Sequence, residues 1–189
     1  MLIIGITGTL GAGKGTIVEY LVREKAFLHF SVRAYLIEEI ENRGLPVNRD
    51  SMVLVANELR SKHSPAYMAE VLFDRAQACG KHCVIESIRT PGEAASLRNR
   101  GNFCLFAVDA DPLLRYDRIR MRGSETDHIS FDTFLHNELR EMESEDPNRQ
   151  NIKACIRMAD YVFNNDGSRE ALFTRVEEVV DKLLKNAKP

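Results

Sequence analysis

No stretch of this chain approaches the roughly 18 consecutive apolar residues that a membrane-spanning helix needs, so no membrane association is expected. An excess of either charge is missing too: 26 Lys and Arg stand against 28 Asp and Glu, leaving a formal net charge of −2 and a pI near 6.2. That balance gives no electrostatic footprint for nucleic acid, and any recognition of phosphate has to come from local clusters. The four cysteines, Cys79, Cys83, Cys104 and Cys155, form no Cys-x-x-Cys pair. At least two of them sit in apolar runs, which reads as buried thiols in a reducing, cytoplasmic compartment. Basic residues are lacking ahead of the short N-terminal apolar run, so that run is expected to form a strand and not a targeting peptide. Internal repeats, low-complexity tracts and interdomain linkers are also lacking. What remains is 189 residues, 44% of them hydrophobic, expected to fold as a single domain over 1–189 that buries about 70% of its unfolded surface. A monomer is the favoured oligomeric state.

What is present is organised around Gly8-Thr9-Leu10-Gly11-Ala12-Gly13-Lys14-Gly15-Thr16, which follows the apolar run Leu2–Ile6 and leads into Ile17–Val22. Gly8, four residues, then Gly13-Lys14 is the phosphate-loop spacing, in the strand-to-helix position that the motif requires. Glycines at 8, 11 and 13 leave backbone N–H groups free to curl around a polyphosphate at the positive end of the following helix. Lys14 adds a mobile point charge for the outer phosphates. A nucleoside triphosphate is therefore the expected ligand.

Five apolar runs of strand length, Leu2–Thr7, Ala26–Ser31, His82–Glu86, Phe103–Val108 and Asp160–Asn164, alternate with segments of helical period, which predicts a parallel sheet covered on both faces. Helix starts are expected at Ser64-Pro65, Thr90-Pro91, Asp111-Pro112, Ser130 and Ser168, with Glu93 completing a capping box on Thr90. The spacing predicts helices from Ser31 to about Asn42, near Asp50–Lys62 and over Pro65–Cys79. Three helices between the second and third strands exceed what a minimal crossover needs.

Gly-Lys-Gly-Thr in place of Gly-Lys-Ser/Thr resembles the loop of nucleoside monophosphate kinases of the adenylate kinase type, and Ile4-Gly5-Ile6-Thr7-Gly8 resembles the opening of dephospho-coenzyme A kinases. The resemblance implies a three-layer αβα P-loop kinase fold with a five-stranded parallel sheet, a helical acceptor-binding insertion at about 32–80 and a short helical lid at about 124–147. It also implies ATP and Mg²⁺ as cofactors and a small nucleotide as acceptor. A zinc-bearing lid, known in some such kinases, is not expected without paired cysteines.

Within that frame Ser31, Arg33 and Arg60 fall in the acceptor region, the two arginines being equally readable as solvated helix-surface residues. Glu86 and Arg89 emerge at the C-terminal end of the third strand, where ligands of parallel sheets bind. They resemble the Asp-Gly-x-x-Arg segment whose arginine grips the acceptor phosphate, and Thr16 and Glu86 are the expected neighbours of magnesium. Arg115, Arg118 and Arg122 recur at helical spacing and share one face, a costly stack of like charge unless an anion lies opposite. By resemblance Arg118 stacks on the ATP base and Arg122 reaches the transferring phosphoryl group. Arg140 is the natural lid arginine of a segment, Ser124 to Pro147, that has few large apolar residues to anchor it. His128 and His136, also in it, read as solvated. Asn165 and Gly167 stand in a turn that, by resemblance, lies against the base; a plain strand-to-helix turn fits equally.

The combined expectation is transfer of the γ-phosphoryl of Mg·ATP to a nucleoside or deoxynucleoside monophosphate, with Lys14, Arg89, Arg122 and Arg140 as catalytic charges. A dephospho-coenzyme A kinase-like enzyme is the same-class alternative; it needs a general base just after strand two, where this chain has Ser31 and Arg33. An ATP-binding switch or assembly factor with slow ATPase activity is the alternative from another class.

Overall fold

The computed structural model describes residues 1–123 and 128–186. β1 (Ile3–Gly8) lies at the centre of a five-stranded, wholly parallel sheet of order β2-β3-β1-β4-β5, with β2 at Leu28–Ser31, β3 at Cys83–Glu86, β4 at Phe103–Asp109 and β5 at Tyr161–Asn164. All five expected strands form. A central parallel strand is covered on both faces, and β1 is accordingly buried throughout. Its alternate residues feed two separate cores. Ile3, with Ile85 and Leu105, packs under α3 (Arg49–Lys62), α4 (Tyr67–Ala78) and α5 (Pro91–Asn99). Ile4 and Ile6, with Val84 and Phe106, pack on the other face against Ile17 and Leu21 of α1 (Lys14–Lys25) and Leu172 and Val176 of α9 (Arg169–Asn186).

Crossing from β2 to β3 takes α2 (Val32–Asn42), α3 and α4, the three helices expected there. Several predicted caps are formed by the predicted side chains. Asp111 accepts from the N–H groups of Leu113 and Leu114 at the start of α6 (Pro112–Arg122), and Ser130 from that of Thr133 at the start of α7 (Phe131–Met142). Ser168 likewise accepts from Ala171. Ser64 does not cap. Its hydroxyl donates instead to the Glu70 carboxylate, and α4 begins two residues beyond Pro65, with Ala66 at the N-cap and no side-chain cap bond. One helix was not foreseen. α8 (Ile152–Met158) is only seven residues long, capped by Asn151, and follows a polar stretch that hides its apolar face. No helix among the described residues is long and apolar enough to cross a membrane.

The capping box is the local device that sets the end of β3. Thr90 and Glu93 are both buried; Thr90 Oγ1 accepts from Glu93 N–H, while the Glu93 carboxylate accepts from the N–H groups of Arg89 and Thr90 at 2.8 and 3.0 Å. Burial pushes the Glu93 carboxyl pKa up, and these two backbone donors act in the opposite direction. The box fixes the backbone from which Arg89 projects. Thr90→Ala is expected to lower unfolding stability by about 1 to 2 kcal/mol in urea titrations, and Thr90→Ser by a few tenths; equal losses for both would show that the methyl group, not the cap bond, matters.

Candidate active site

Loop, sheet and helix ends converge at the C-terminal edge of the sheet. Lys14 opens α1, and its Nζ donates to the carbonyls of Gly8 and Thr9 at 2.9 and 2.7 Å, so its charge hangs over the loop. The Lys14 pKa is lowered to about 8, chiefly by burial and then by the nearby Arg89 and Arg122, with Glu86 and Glu141 acting in the opposite direction. Gly13 is left-handed, φ 106°, and a Cβ there would come within 2.4 Å of Asn165 Nδ2. Nothing lies within 4 Å of a Cβ placed on Gly15. The fold does not require that glycine, and the space above it stays open to a ligand. Thr16 sits half-buried in the first turn of α1.

Glu86 reaches the same place from β3. Val84 belongs to the core beneath α1, and strand alternation turns Glu86 two residues later to the same side, towards Lys14. His29, paired in register with Val84, shares that face, and its Nε2 lies 3.1 Å from Glu86 Oε2. This contact, with the charges of Lys14 and Arg89, holds the Glu86 carboxyl below its usual range against an opposing effect of burial. Just beyond, Ser87 has φ 71°, a left-handed conformation unusual for a residue with a side chain. That kink lets Ile88 bond back to Ile6 O at 3.0 Å and turns Arg89 out over the edge.

Arg89, Arg60 and Arg140 line one open cleft of about 670 Å³, together with Arg149, Glu141 and Gln150. They arrive from different parts of the chain: Arg60 from α3, Arg89 from beyond β3 and Arg140 from α7. Arg89 donates to Gln150 Oε1 at 2.7 Å and lies 3.6 Å from Glu141; Arg149 is 3.4 Å from Asp146. Arg60 and Arg140 have no carboxylate within ion-pair distance among the described residues, and Arg60 Nε is buried without a hydrogen-bond partner. Arg33 is not among the cleft-lining residues: it is exposed, with Nη1 3.9 Å from the Met52 sulfur. Ser31 Oγ accepts from Ala34 N–H and caps α2.

On the opposite flank Arg118 Nη2 donates to Asn165 O at 2.7 Å, and its Nη1 is buried without a partner. Asn165 is itself buried, its amide donating to Ala12 O at 2.8 Å, so it braces the loop and does not present its side chain outward. Gly167 lies two residues on, in the turn before α9. Arg115, Arg118 and Arg122 keep the spacing of one face of α6, but the anion opposite Arg115 comes from the protein itself. Arg115 turns inward, only 2% exposed, and forms a bidentate pair with Glu138 of α7. Arg122, in the last turn of α6, stays near enough to act on Lys14.

α7, in the segment expected to form a lid, is better anchored than its composition suggests. Phe134 is 1% exposed, and the rings of Phe131 and Phe134 lie 5.2 and 5.7 Å from Tyr116 of α6. α7 therefore packs directly beside the loop, with Phe134, Glu138 and Glu141 facing Thr9 and Leu10 across a small pocket. Residues 124–127 of the expected lid lie outside the described residues. His29, Ser87, Glu138, Glu141, Arg149 and Gln150 were not singled out by the sequence. For His29 a signal existed: period-two alternation from a paired strand puts it beside Glu86.

A parallel sheet with its glycine loop, basic cleft and flanking helices is the P-loop kinase fold. Solved structures bear this out at the level of fold: TT1252 from Thermus thermophilus superposes with a TM-score of 0.65 at 20% identity, covering 100% of this chain and 98% of that one. A shikimate kinase from Bacteroides thetaiotaomicron gives 0.57 at 17% identity over 95% and 98%, and a gluconokinase from Sinorhizobium meliloti 0.54 at 12% over 99% and 98%. The chain belongs to the AAA domain family, whose model matches residues 4–148. Among curated relatives, UPF0200 protein TK1334 of Thermococcus kodakarensis is 28% identical, covering 97% of this chain and 98% of its own. UPF0200 protein MJ1399 of Methanocaldococcus jannaschii is 27% identical over 98% and 92%. A nucleotide is the ligand this fold implies.

The lowered Lys14 pKa makes nucleotide binding pH-dependent. A polyanion favours the charged lysine, so its pKa rises in the complex and binding takes up a proton where the free protein has lost one. ATP affinity should be flat below roughly pH 7 and weaken above pH 8 by up to about tenfold per unit, as read by calorimetry in buffers of different ionisation enthalpy. Lys14→Met should remove the dependence; its persistence in that variant would assign it to another group.

Proposed function

We propose that this protein is an ATP-dependent phosphotransferase that moves the γ-phosphoryl group of Mg·ATP onto the phosphate of a nucleoside or deoxynucleoside monophosphate. The observation that carries this reading is the convergence of Arg60, Arg89, Arg140 and Arg149 on one cleft whose Arg89 is close enough to Lys14 to depress its pKa. An anionic acceptor held there stands next to the triphosphate. Such an acceptor is already a nucleophile, so the protein supplies position and positive charge and needs no base.

A hydroxyl acceptor, as in the dephospho-coenzyme A kinase alternative, fits less well. It needs a carboxylate that takes a proton. Glu93 is committed to the capping box, and His29 keeps Glu86 ionised and weakly basic. Ser31 is committed to a helix cap. A slow switch ATPase would not explain a basic cleft beside the loop.

The fit to magnesium rests on donor chemistry. Thr16 and Glu86 offer a hydroxyl and an ionised carboxylate near Lys14, while no cluster of three or more His, Cys, Asp or Glu suited to a metal occurs among the described residues. Such a sparse oxygen set suits Mg²⁺, which keeps waters and takes its remaining ligands from phosphates. When bound, it would neutralise charge across the outer phosphates. Lys14 and Arg122 would then hold the transferring group, Arg89 the acceptor phosphate, and Arg118 with the turn at Asn165 and Gly167 the base side. The four cysteines are free thiols, which accords with the reducing cytoplasm.

Arg89→Ala is the selective test. Loss of a charge-assisted contact to the acceptor should lower its kcat/KM by about 2 to 4 kcal/mol while ATP affinity stays within a few-fold. Equal losses for ATP and acceptor would refute the assignment.

A further inference from the structure

Arg115 is the most deeply buried cation of the described chain that plays no part in the scheme above, and every bond it makes is accounted for. Its Nε donates to Ala110 O at 2.7 Å and its Nη1 to Leu10 O at 3.2 Å, inside the phosphate loop. Both terminal nitrogens engage Glu138, with Nη2 to Oε1 at 2.9 Å. The Phe134 ring lies 5.4 Å from the guanidinium carbon. Asp109, 3.6 Å from Nε, accepts from the Thr9 hydroxyl. The contact with the loop is also one of backbone on backbone, because a Cβ on Gly11 would fall 2.5 Å from Arg115 O.

These bonds join two parts that the phosphoryl-transfer scheme treats as separate. The outer limb of the loop, Thr9 to Gly11, rests on Arg115 and Asp109; α7 is tied to the same guanidinium through Glu138. Two residues along α7, Arg140 enters the basic cleft, and one further on Glu141 faces Arg89. A buried pair of this kind contributes little net stability over an apolar replacement, but it specifies one register, because either charge left alone is strongly penalised. A bidentate guanidinium–carboxylate pair also fixes orientation as well as distance.

We propose that Arg115 and Glu138 are positioning residues that make the phosphate loop and α7 one mechanical unit, so that nucleotide on the loop sets the placement of Arg140 in the acceptor cleft. For its functional consequence the inference rests on the kinase reading; for the coupling itself it does not. Glu138→Gln keeps the shape and one acceptor oxygen while removing the charge that holds Arg115.

Two measurements test it. In amide hydrogen exchange, Glu138→Gln should speed exchange about tenfold or more in both Phe131–Met142 and Thr9–Ala12, leaving α9 unchanged. In the unaltered protein, a non-hydrolysable ATP analogue without acceptor should slow exchange in α7 as well as in the loop. Acceleration confined to α7, or an α7 indifferent to the analogue while the loop responds, would overturn the coupling. The second measurement is a double-mutant cycle in phosphoryl transfer. Glu138→Gln should lower kcat about thirtyfold with ATP KM within threefold, yet have less than a threefold effect when Arg140→Ala is already present. Multiplicative losses would show that Glu138 does not act through Arg140. Should no phosphoryl acceptor be found, the exchange results decide the coupling alone, and only the kinase reading fails.

Discussion

The loop between β1 and α1 imposes the constraint on which the rest of the site depends. To turn its N–H groups towards a polyphosphate, the chain must turn carbonyls towards the protein, and each of these needs a donor. The structure supplies them from widely separated places. Lys14 serves Gly8 O and Thr9 O, Arg115 of α6 serves Leu10 O, and Asn165 beyond β5 serves Ala12 O. Asp109, at the end of β4, takes the Thr9 hydroxyl. The loop is thus a small surface stretched over the ends of three neighbouring strands, and its shape is preset by Lys14 together with Arg115, Asn165 and Asp109, whose polar groups are turned to the loop itself. Rigid, preorganised donors of this kind are what electrostatic stabilisation of a transferring group requires.

That division of labour explains which parts of the site were legible in the sequence. Groups suited to a phosphate are constrained by chemistry to a few residue types at fixed offsets, so Gly8 to Thr16 and, by resemblance, the Glu86-to-Arg89 segment could be singled out, and both lie at the C-terminal edge of the sheet. The sheet was legible for a related reason: a buried parallel strand is a short apolar run, and all five runs became strands. Residues that brace the loop carry no such signature. Arg115 read as one of three arginines on a helical face that needs an anion opposite, because a sequence shows the face a residue occupies and not that the anion would be a carboxylate of the protein itself, Glu138. Asn165 stood in a turn that fitted the base side and a plain strand-to-helix turn equally, and nothing in the sequence showed that its amide would donate to Ala12 O. Arg149 lay in a polar stretch without periodicity.

The segment expected to form a lid illustrates a limit of compositional reasoning. Two phenylalanines in α7 are few, but they stack against each other and against Tyr116, while Tyr116 Oη donates to Ile129 O at 2.9 Å. A small aromatic cluster gives a short helix a definite seat, since such rings bury much area and pack in preferred geometries. The same helix faces the loop with Glu138 and the cleft with Arg140 and Glu141, so its seating bears on both. Arg33 marks the other limit: of the two arginines singled out between β2 and β3, Arg60 reaches the cleft, while Arg33 is exposed with its Nη1 against the Met52 sulfur.

The central claim is that the arginine cleft holds the phosphate that accepts a phosphoryl group from ATP bound at the loop. It is tested most directly by incubating the protein with magnesium and γ-labelled ATP over a panel of ribo- and deoxyribonucleoside monophosphates, with dephospho-coenzyme A alongside. The account predicts label in a nucleoside diphosphate, abolished in a folded Lys14→Ala variant. Label in coenzyme A, or release of labelled phosphate alone with every monophosphate left untouched, would contradict it.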